Sequence, residues 1–201
     1  LLIAGLAGMT NETIDRILLK HLLPNTDIAA SELGLYGAFY KLSIIMILFI
    51  QTFRFAAEPF FFAQEKEGNS RKIYADVLKY FTIIMAFIFL GVTIFYDVIK
   101  GFLGSEYHDD RGFLVVSILL LANLFLGIYY NLSIWYKLTE KTKYGAYLSI
   151  FGAIITLSLN FTLIPVLGFV GCAWATLVCY FSMTVASYYL GKRHFSVPYQ
   201  V

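Results

Sequence analysis

The sequence predicts an all-α integral membrane protein built as a bundle of six transmembrane helices. Hydrophobic residues make up 59% of the 201-residue chain and charged residues only 14%, whereas an ordinary soluble domain carries about 25% charged residues. The apolar stretches are also long, and a helix needs about 20 apolar residues to cross roughly 30 Å of hydrocarbon. A soluble chain of this length has no means of hiding so much apolar surface, which favours a lipid environment.

Six predicted spans follow one another along the chain. The first is the least regular, because charged and amide side chains between Asn11 and Arg16 interrupt it. Pro165 and Gly168 divide the last two spans, since proline and glycine end one helix and begin another. The predicted bounds of the six spans are 1–23, 33–62, 77–99, 113–136, 144–164 and 168–190.

The lysines and arginines predict the orientation of the bundle. One set of connections is strongly basic, whereas the opposite set carries mainly Lys20, Lys100 and Arg111. The positive-inside rule then places the basic connections, and both ends of this segment, in the cytoplasm. The net charge of +2 arises from these connections and does not indicate nucleic-acid binding. The basic connections contain Lys66, Arg71, Lys72, Lys79, Lys137, Lys141, Lys143, Lys192 and Arg193.

The second span contains the stretch QTFRFAAEPFFF, in which Arg54, Glu58 and Pro59 interrupt an apolar helix. Steps of three and four residues bring Gln51, Arg54 and Glu58 onto one face, in a stripe that begins at Tyr40. A charge at the centre of the bilayer costs ~2.5–3.5 kcal/mol, so such side chains usually face a bundle interior or a wet cavity. The stripe therefore predicts the wall of a cavity that receives an anion.

A structural interpretation of this stripe stands beside the functional one. Arg54 and Glu58 are four residues apart and can form an internal salt bridge that only holds the helix in place, although arginine before glutamate is the weaker order for such a pair. Pro59 also leaves the carbonyl of Phe55 without its usual helical donor. Unsatisfied backbone at membrane depth is tolerated where protein or water covers it, which again favours a cavity.

Other polar positions carry weaker predictions. In the first span, Glu12 or Asp15 is a candidate to hold a cation or relay a proton, and the alternative is an interfacial cluster that pairs internally through Arg16. In the fifth span, Thr156 and Asn160 share a face with small residues that let helices pack closely. The sixth span carries a similar small-residue face. No histidine cluster, metal site or nucleotide-binding loop is predicted, so no cofactor is expected.

The residues at 36–67 and 119–193 resemble a known family. The stretch QTFRFAAEPFFF and, most specifically, NLSIWYKLTEKTK at 131–143 are similar to bacterial polysaccharide biosynthesis proteins of the multidrug/oligosaccharidyl-lipid/polysaccharide exporter superfamily. That superfamily includes flippases for O-antigen, a part of lipopolysaccharide. The similarity covers nearly all of residues 1–201.

The resemblance implies a fold, a substrate and a location in the bacterial inner membrane. The fold would be two six-helix lobes of the MATE type around a central cavity, with this chain as the second lobe and the N-terminal lobe missing from this sequence. The substrate would be a polyprenyl-diphosphate-linked sugar moved by alternating access, with Arg54, Gln51 and Glu58 at the diphosphate. Possible Na⁺ or H⁺ coupling would use Glu12, Asp15, Thr156 and Asn160.

Three other functions stay open at this point. A drug/cation antiporter of the same superfamily would favour an acidic, aromatic pocket over a cationic one. A membrane polysaccharide polymerase or ligase would need catalytic acids or histidines in a long outer loop. Only a short connection with Glu106, His108, Asp109 and Asp110 offers these residue types. A purely structural scaffold does not explain Arg54, so the sequence favours a transporter and no enzymatic chemistry.

Overall fold

The computed structural model describes residues 13–65, 70–104 and 107–199, and within these ranges every regular element is a helix. Five of the helices are long and apolar enough to cross a membrane. They correspond to the predicted second to sixth spans. The first predicted span falls largely outside the described residues. In order, the helices are α1 (13–22), α2 (Thr26–Gln64), α3 (Ser70–Ile94), α4 (Tyr96–Ile99), α5 (Gly112–Leu132), α6 (Ile134–Leu138), α7 (Lys143–Leu167) and α8 (Phe169–His194), with a 3-10 turn at Lys100–Phe102.

Helix α2 begins earlier than the predicted second span and is unusually long. Its N-terminus is capped by Asn25, whose side chain accepts a hydrogen bond from the Asp27 amide. At 1.5 Å per residue its 39 residues extend about 58 Å, well beyond the roughly 30 Å of a hydrocarbon core. Part of α2 therefore continues past the membrane, and Pro59 lies inside the helix rather than at its end.

The prediction that Pro165 ends the fifth span was wrong. Helix α7 continues through Pro165 to Leu167, and Gly168 alone separates it from α8. Proline near the end of a helix removes only one backbone hydrogen bond, which the final turn tolerates. Gly168 makes the break, because its backbone has φ 56° and ψ −136°, a conformation that is essentially restricted to glycine.

Helices α5 and α8 form the centre of the bundle. In the most apolar stretch of α8, and in that of the span formed by α5 and α6, 61% of the residues are buried. The corresponding share is 17–33% in α2, α3 and α7. Helix α7 packs on α8, whereas α2 and α3 pack on α5. The predicted close packing of small residues is confirmed between α7 and α8, where a Cβ on Gly171 would lie 2.8 Å from the backbone of Leu163. The outward faces are rich in exposed large apolar side chains, as lipid requires.

The helices bring the described residues of the basic connections to one end of the bundle. There the C-terminal end of α8 meets α3 and α7: the Tyr74 ring lies 6.2 Å from that of Phe195, and the Tyr144 hydroxyl lies 3.1 Å from Nε2 of His194. This end is called the basic end below. The other end carries α4 and the loop before α5. The positive-inside rule predicts that the basic end faces the cytoplasm.

This orientation is testable by cysteine labelling. A cysteine at Thr142 lies at the basic end and one at Gly104 at the opposite end. In intact cells a membrane-impermeant thiol reagent is expected to label only the cysteine at Gly104, measured by a mass shift on gels. The native Cys172 and Cys179 are fully buried, so the unsubstituted chain is expected to give only background labelling. Labelling of Thr142→Cys but not Gly104→Cys from outside would reverse the topology.

The end opposite the basic one is held together by a charged cluster. Glu32 of α2 accepts a hydrogen bond from the Phe169 amide at the start of α8 (2.9 Å) and pairs with Arg111 (3.0 Å). The Arg111 guanidinium lies 4.2 Å over the Phe169 ring and also binds Asp109. These hydrogen bonds from Arg111 lower the pKa of the Asp109 carboxyl below its usual range. One carboxylate and one guanidinium therefore connect α2, α5 and α8.

Candidate functional site

The predicted stripe on α2 forms a connected polar group near the basic end. Arg54 donates from Nη1 to Oε1 of Gln51 at 3.2 Å, and its Nε lies 3.7 Å from Oε1 of Glu58. All three side chains are partly exposed. The structure thus brings the three predicted site residues together, as their helical spacing requires.

Two side chains from the α5–α6 region complete the group. The Arg54 guanidinium carbon lies 4.0 Å from the centre of the Tyr130 ring, a cation–π distance. Lys137 on α6 donates to the same Glu58 oxygen at 2.5 Å. Two cations from different helices therefore converge on one carboxylate oxygen. Because one carboxylate serves two cations, the group keeps an excess of positive charge.

A narrow crevice runs between these side chains. It is lined by Arg54, Glu58 and Lys137 on its polar side and by rings such as Phe81 on its apolar side. About 10 Å³ of it is open to the centre of a water molecule, which suffices for roughly one water. Asn131 also lines the crevice and is 6% exposed. Its side-chain carbonyl oxygen has no hydrogen-bond donor within the described residues. The crevice is therefore a narrow space with charged groups on one side and apolar side chains on the other.

The group lies in the half of α2 that is nearer the basic end. Arg54 precedes the end of α2 at Gln64 by ten residues, or about 15 Å along the helix. The Phe53 ring packs 4.6 Å from Phe81, two residues after the exposed Lys79 of α3. Charges nearer a helix end cost less than charges at the centre of a bilayer.

The candidate coupling residue Asp15 lies near the other end of the same stripe. It is 3% exposed, and its carboxylate accepts from the Tyr36 hydroxyl at 2.5 Å and from the Arg16 amide at 2.7 Å. The Arg16 guanidinium lies 4.4 Å over the Tyr40 ring. Tyr36 and Arg54 are 18 residues apart on α2, which corresponds to about 27 Å. The two charged groups therefore occupy opposite halves of the bundle.

The other coupling candidates do not join Asp15 directly. Thr156 and Asn160 are buried on α7, and the Asn160 amide donates to the Thr156 carbonyl at 2.8 Å. Asp15 instead reaches α8, where the Cys172 thiol lies 3.9 Å from its backbone oxygen. Within the described part of the chain no hydrogen bond links Asp15 to either α7 residue. Glu12 lies outside the described residues.

Sequence reasoning missed Lys137 and Tyr130 as members of the site. Lys137 was counted only among the basic residues that orient the bundle, and Tyr130 was not singled out. Only the motif NLSIWYK pointed to this region, through its resemblance to a family. Their contacts depend on how α5 and α6 pack against α2, which spacing along one helix does not reveal.

No protein-family model, no curated protein and no solved structure matches this chain. The candidate site therefore rests on its geometry.

Proposed function

We propose that this chain is one lobe of a transporter that flips polyprenyl-diphosphate-linked oligosaccharide across the bacterial inner membrane for surface polysaccharide export. One observation supports this beyond the resemblance: Arg54 and Lys137, from two helices, share a single carboxylate oxygen of Glu58 near the basic end of the bundle. That is the end at which a substrate made in the cytoplasm arrives. A diphosphate offers oxygens suited to both cations.

In this proposal Glu58 acts as a built-in competitor for the diphosphate. With the site empty, its carboxylate limits the cost of holding two cations at the membrane edge. An arriving diphosphate displaces Glu58 and takes both Arg54 and Lys137. On release the carboxylate returns to the cations, so the headgroup is not held too tightly to leave. Gln51 and Tyr130 keep the guanidinium in position through a hydrogen bond and a ring contact.

Transport by alternating access needs a second body, because two repeats rock against each other around a shared site. We therefore propose that a further six-helix lobe covers the Arg54 crevice. This lobe would supply the other half of the cavity, since the crevice alone has room for about one water.

The two-lobe proposal is tested by reconstitution. We expect purified 1–201 in liposomes to deliver no fluorescent polyprenyl-diphosphate sugar to the opposite leaflet, whereas the same chain co-expressed with the N-terminal lobe of its own protein delivers it. Delivery is measured by loss of fluorescence to a membrane-impermeant quencher. Empty liposomes and the N-terminal lobe alone are the controls. Clear delivery by monomeric 1–201 would contradict the proposal.

Coupling to a Na⁺ or H⁺ gradient is proposed at Asp15, with Glu12, Thr156 and Asn160 as further candidates. The Asp15 carboxylate is buried and bound to the Tyr36 hydroxyl, so its protonation would change a contact between α1 and α2. We expect transport by the wild type to fall when the gradient is collapsed, and transport by Asp15→Asn to lose that dependence. If the gradient dependence of transport is unchanged in both Asp15→Asn and Glu12→Gln, these two residues do not couple transport to the gradient.

The antiporter alternative predicts a different site. A cationic drug needs an acidic, aromatic pocket, whereas the Arg54 crevice holds two cations and one carboxylate. Near the opposite end, Asp15 and Tyr40 do offer an acid and a ring, but Arg16 already covers the Tyr40 ring. These observations favour an anionic headgroup over a cationic drug.

A further inference from the structure

We propose that a second pocket, at the end of the bundle opposite the basic one, binds a single neutral sugar ring. The pocket has a volume of ≈ 320 Å³ and lies between the end of α3, the α4 region and the loop before α5. This volume is at the lower end of small-molecule sites, about 300–1,000 Å³. Its walls include Tyr96, Tyr107, Phe113, Asp97, Asp109 and Asp110.

The combination of rings and carboxylates suits a sugar. A pyranose has flat C–H faces that pack on aromatic rings, which bring large apolar contact area. Its hydroxyls donate to carboxylates, and hydrogen bonds to an ionised acceptor are roughly twice as strong as neutral ones. Tyr96 and Phe113 already meet edge to face at 5.3 Å, and Tyr96 is 8% exposed. They therefore form a rigid wall, while the carboxylates of Asp97 and Asp110 stay exposed.

The loop that closes the pocket is held by several contacts. The His108 ring nitrogen Nε2 lies 3.3 Å from the Lys100 carbonyl, and Asp109 is bound by Arg111. The Tyr107 ring approaches α2, since a Cβ on Gly34 would lie 3.9 Å from it. Lys100 is paired with Asp97 at 2.6 Å. These contacts hold the walls of the pocket in place, which lowers the ordering cost of binding.

The charge of the pocket selects among sugars. Asp97 pairs with Lys100 and Asp109 with Arg111, whereas no ion pair joins the exposed Asp110 within the described residues. An acidic sugar or a diphosphate would therefore meet repulsion at Asp110. We infer a neutral or N-acetylated hexose as the ligand class. This inference rests on the proposed function only for the source of the sugar, which would be the head of the lipid-linked oligosaccharide after it reaches this face.

Free glycosides test the pocket without any transport assay. The probes are methyl glucoside, methyl N-acetylglucosaminide and, as the acidic comparison, methyl glucuronide, added to the purified chain in nanodiscs and followed by saturation-transfer NMR. The neutral glycosides have about 13 to 16 non-hydrogen atoms and are expected to bind with a Kd on the order of 1 mM. The glucuronide is expected to give no transfer.

Matched variants locate the binding. Tyr107→Ala and Asp110→Asn are expected to weaken binding of the neutral glycosides by roughly 5-fold or more each. Tyr147→Ala and Asp76→Asn remove an exposed tyrosine and an exposed aspartate elsewhere, and should leave Kd unchanged. Binding unaffected by both pocket variants, equal binding of the glucuronide, or binding of Ca²⁺ with no glycoside would each overturn the proposal. Normal transport by Arg54→Ala together with intact sugar binding would refute the anion site and leave the pocket standing, so the two proposals fail separately.

Discussion

If the proposed function holds, replacing Arg54 by alanine in the two-lobe transporter is expected to reduce the initial flipping rate by roughly 30-fold or more. Truncating one partner of a buried, hydrogen-bonded charge pair costs about 2–5 kcal/mol, which is the kind of contact proposed between Arg54 and a bound diphosphate. Each 1.4 kcal/mol corresponds to tenfold. Without the guanidinium, Glu58 would hold Lys137 alone, and a diphosphate would gain one cation where it now gains two. The measurement is quencher-accessible fluorescence of the lipid-linked sugar in proteoliposomes.

Two companion substitutions separate charge from geometry at the same site. Arg54→Lys keeps the charge but loses the fork that binds two oxygens and the flat face over Tyr130, so an intermediate rate is expected. Lys137→Ala is expected to slow transport as well, because the second cation disappears. Lys79→Ala removes an exposed lysine at the same end and serves as the matched control, with a rate near that of the wild type. Membrane insertion is checked by yield and gel filtration, and normal transport by correctly inserted Arg54→Ala would refute the anion site.

Replacing Gly168 by alanine is expected to destabilise the bundle strongly. The backbone conformation at φ 56° and ψ −136° costs a residue with a Cβ about 1–3 kcal/mol. The added Cβ would also lie 2.2 Å from the Glu32 carboxylate, which displaces the hydrogen bond to the Phe169 amide. That bond to a charged group contributes about 1.5–3 kcal/mol. Together the two effects predict a loss of roughly 2.5–6 kcal/mol in the free energy of unfolding, measured from the unfolding transition in mixed detergent micelles.

The control for Gly168 is a glycine with open space around it. Gly91 in α3 has no heavy atom within 4 Å of an added Cβ and lies in a helix, so Gly91→Ala is expected to be neutral or to stabilise by up to about 1 kcal/mol. Glu32→Gln should cost less than Gly168→Ala, because it weakens the pairing with Arg111 but leaves the turn unstrained. Equal stability of Gly168→Ala and Gly91→Ala would show that the Gly168 turn and its contact with Glu32 do not hold α7 and α8 together.

Much of the fold followed from one-dimensional patterns. Apolar runs of about 20 residues predicted the spans that correspond to the five long helices, because hydrocarbon forces the backbone to satisfy its own hydrogen bonds within each segment. Helical spacing also put Gln51, Arg54 and Glu58 on one face, since positions three and four apart lie above one another on any helix. The basic connections that predict the orientation of the bundle also meet at one end of it, because successive helices run in opposite directions. These properties depend only on residues near one another in the chain.

Tertiary packing decided the rest. Glu58 and Lys137 are 79 residues apart in sequence, and only the packing of α5 and α6 against α2 makes them partners. Packing likewise separated Asp15 from Thr156 and Asn160, which spacing alone left free to be grouped. It also moved the helix break from Pro165 to Gly168, because the Glu32 carboxylate binds the amide that this turn exposes. Contacts between helices depend on close approach, shape and shared charge, and none of these has a period along the sequence.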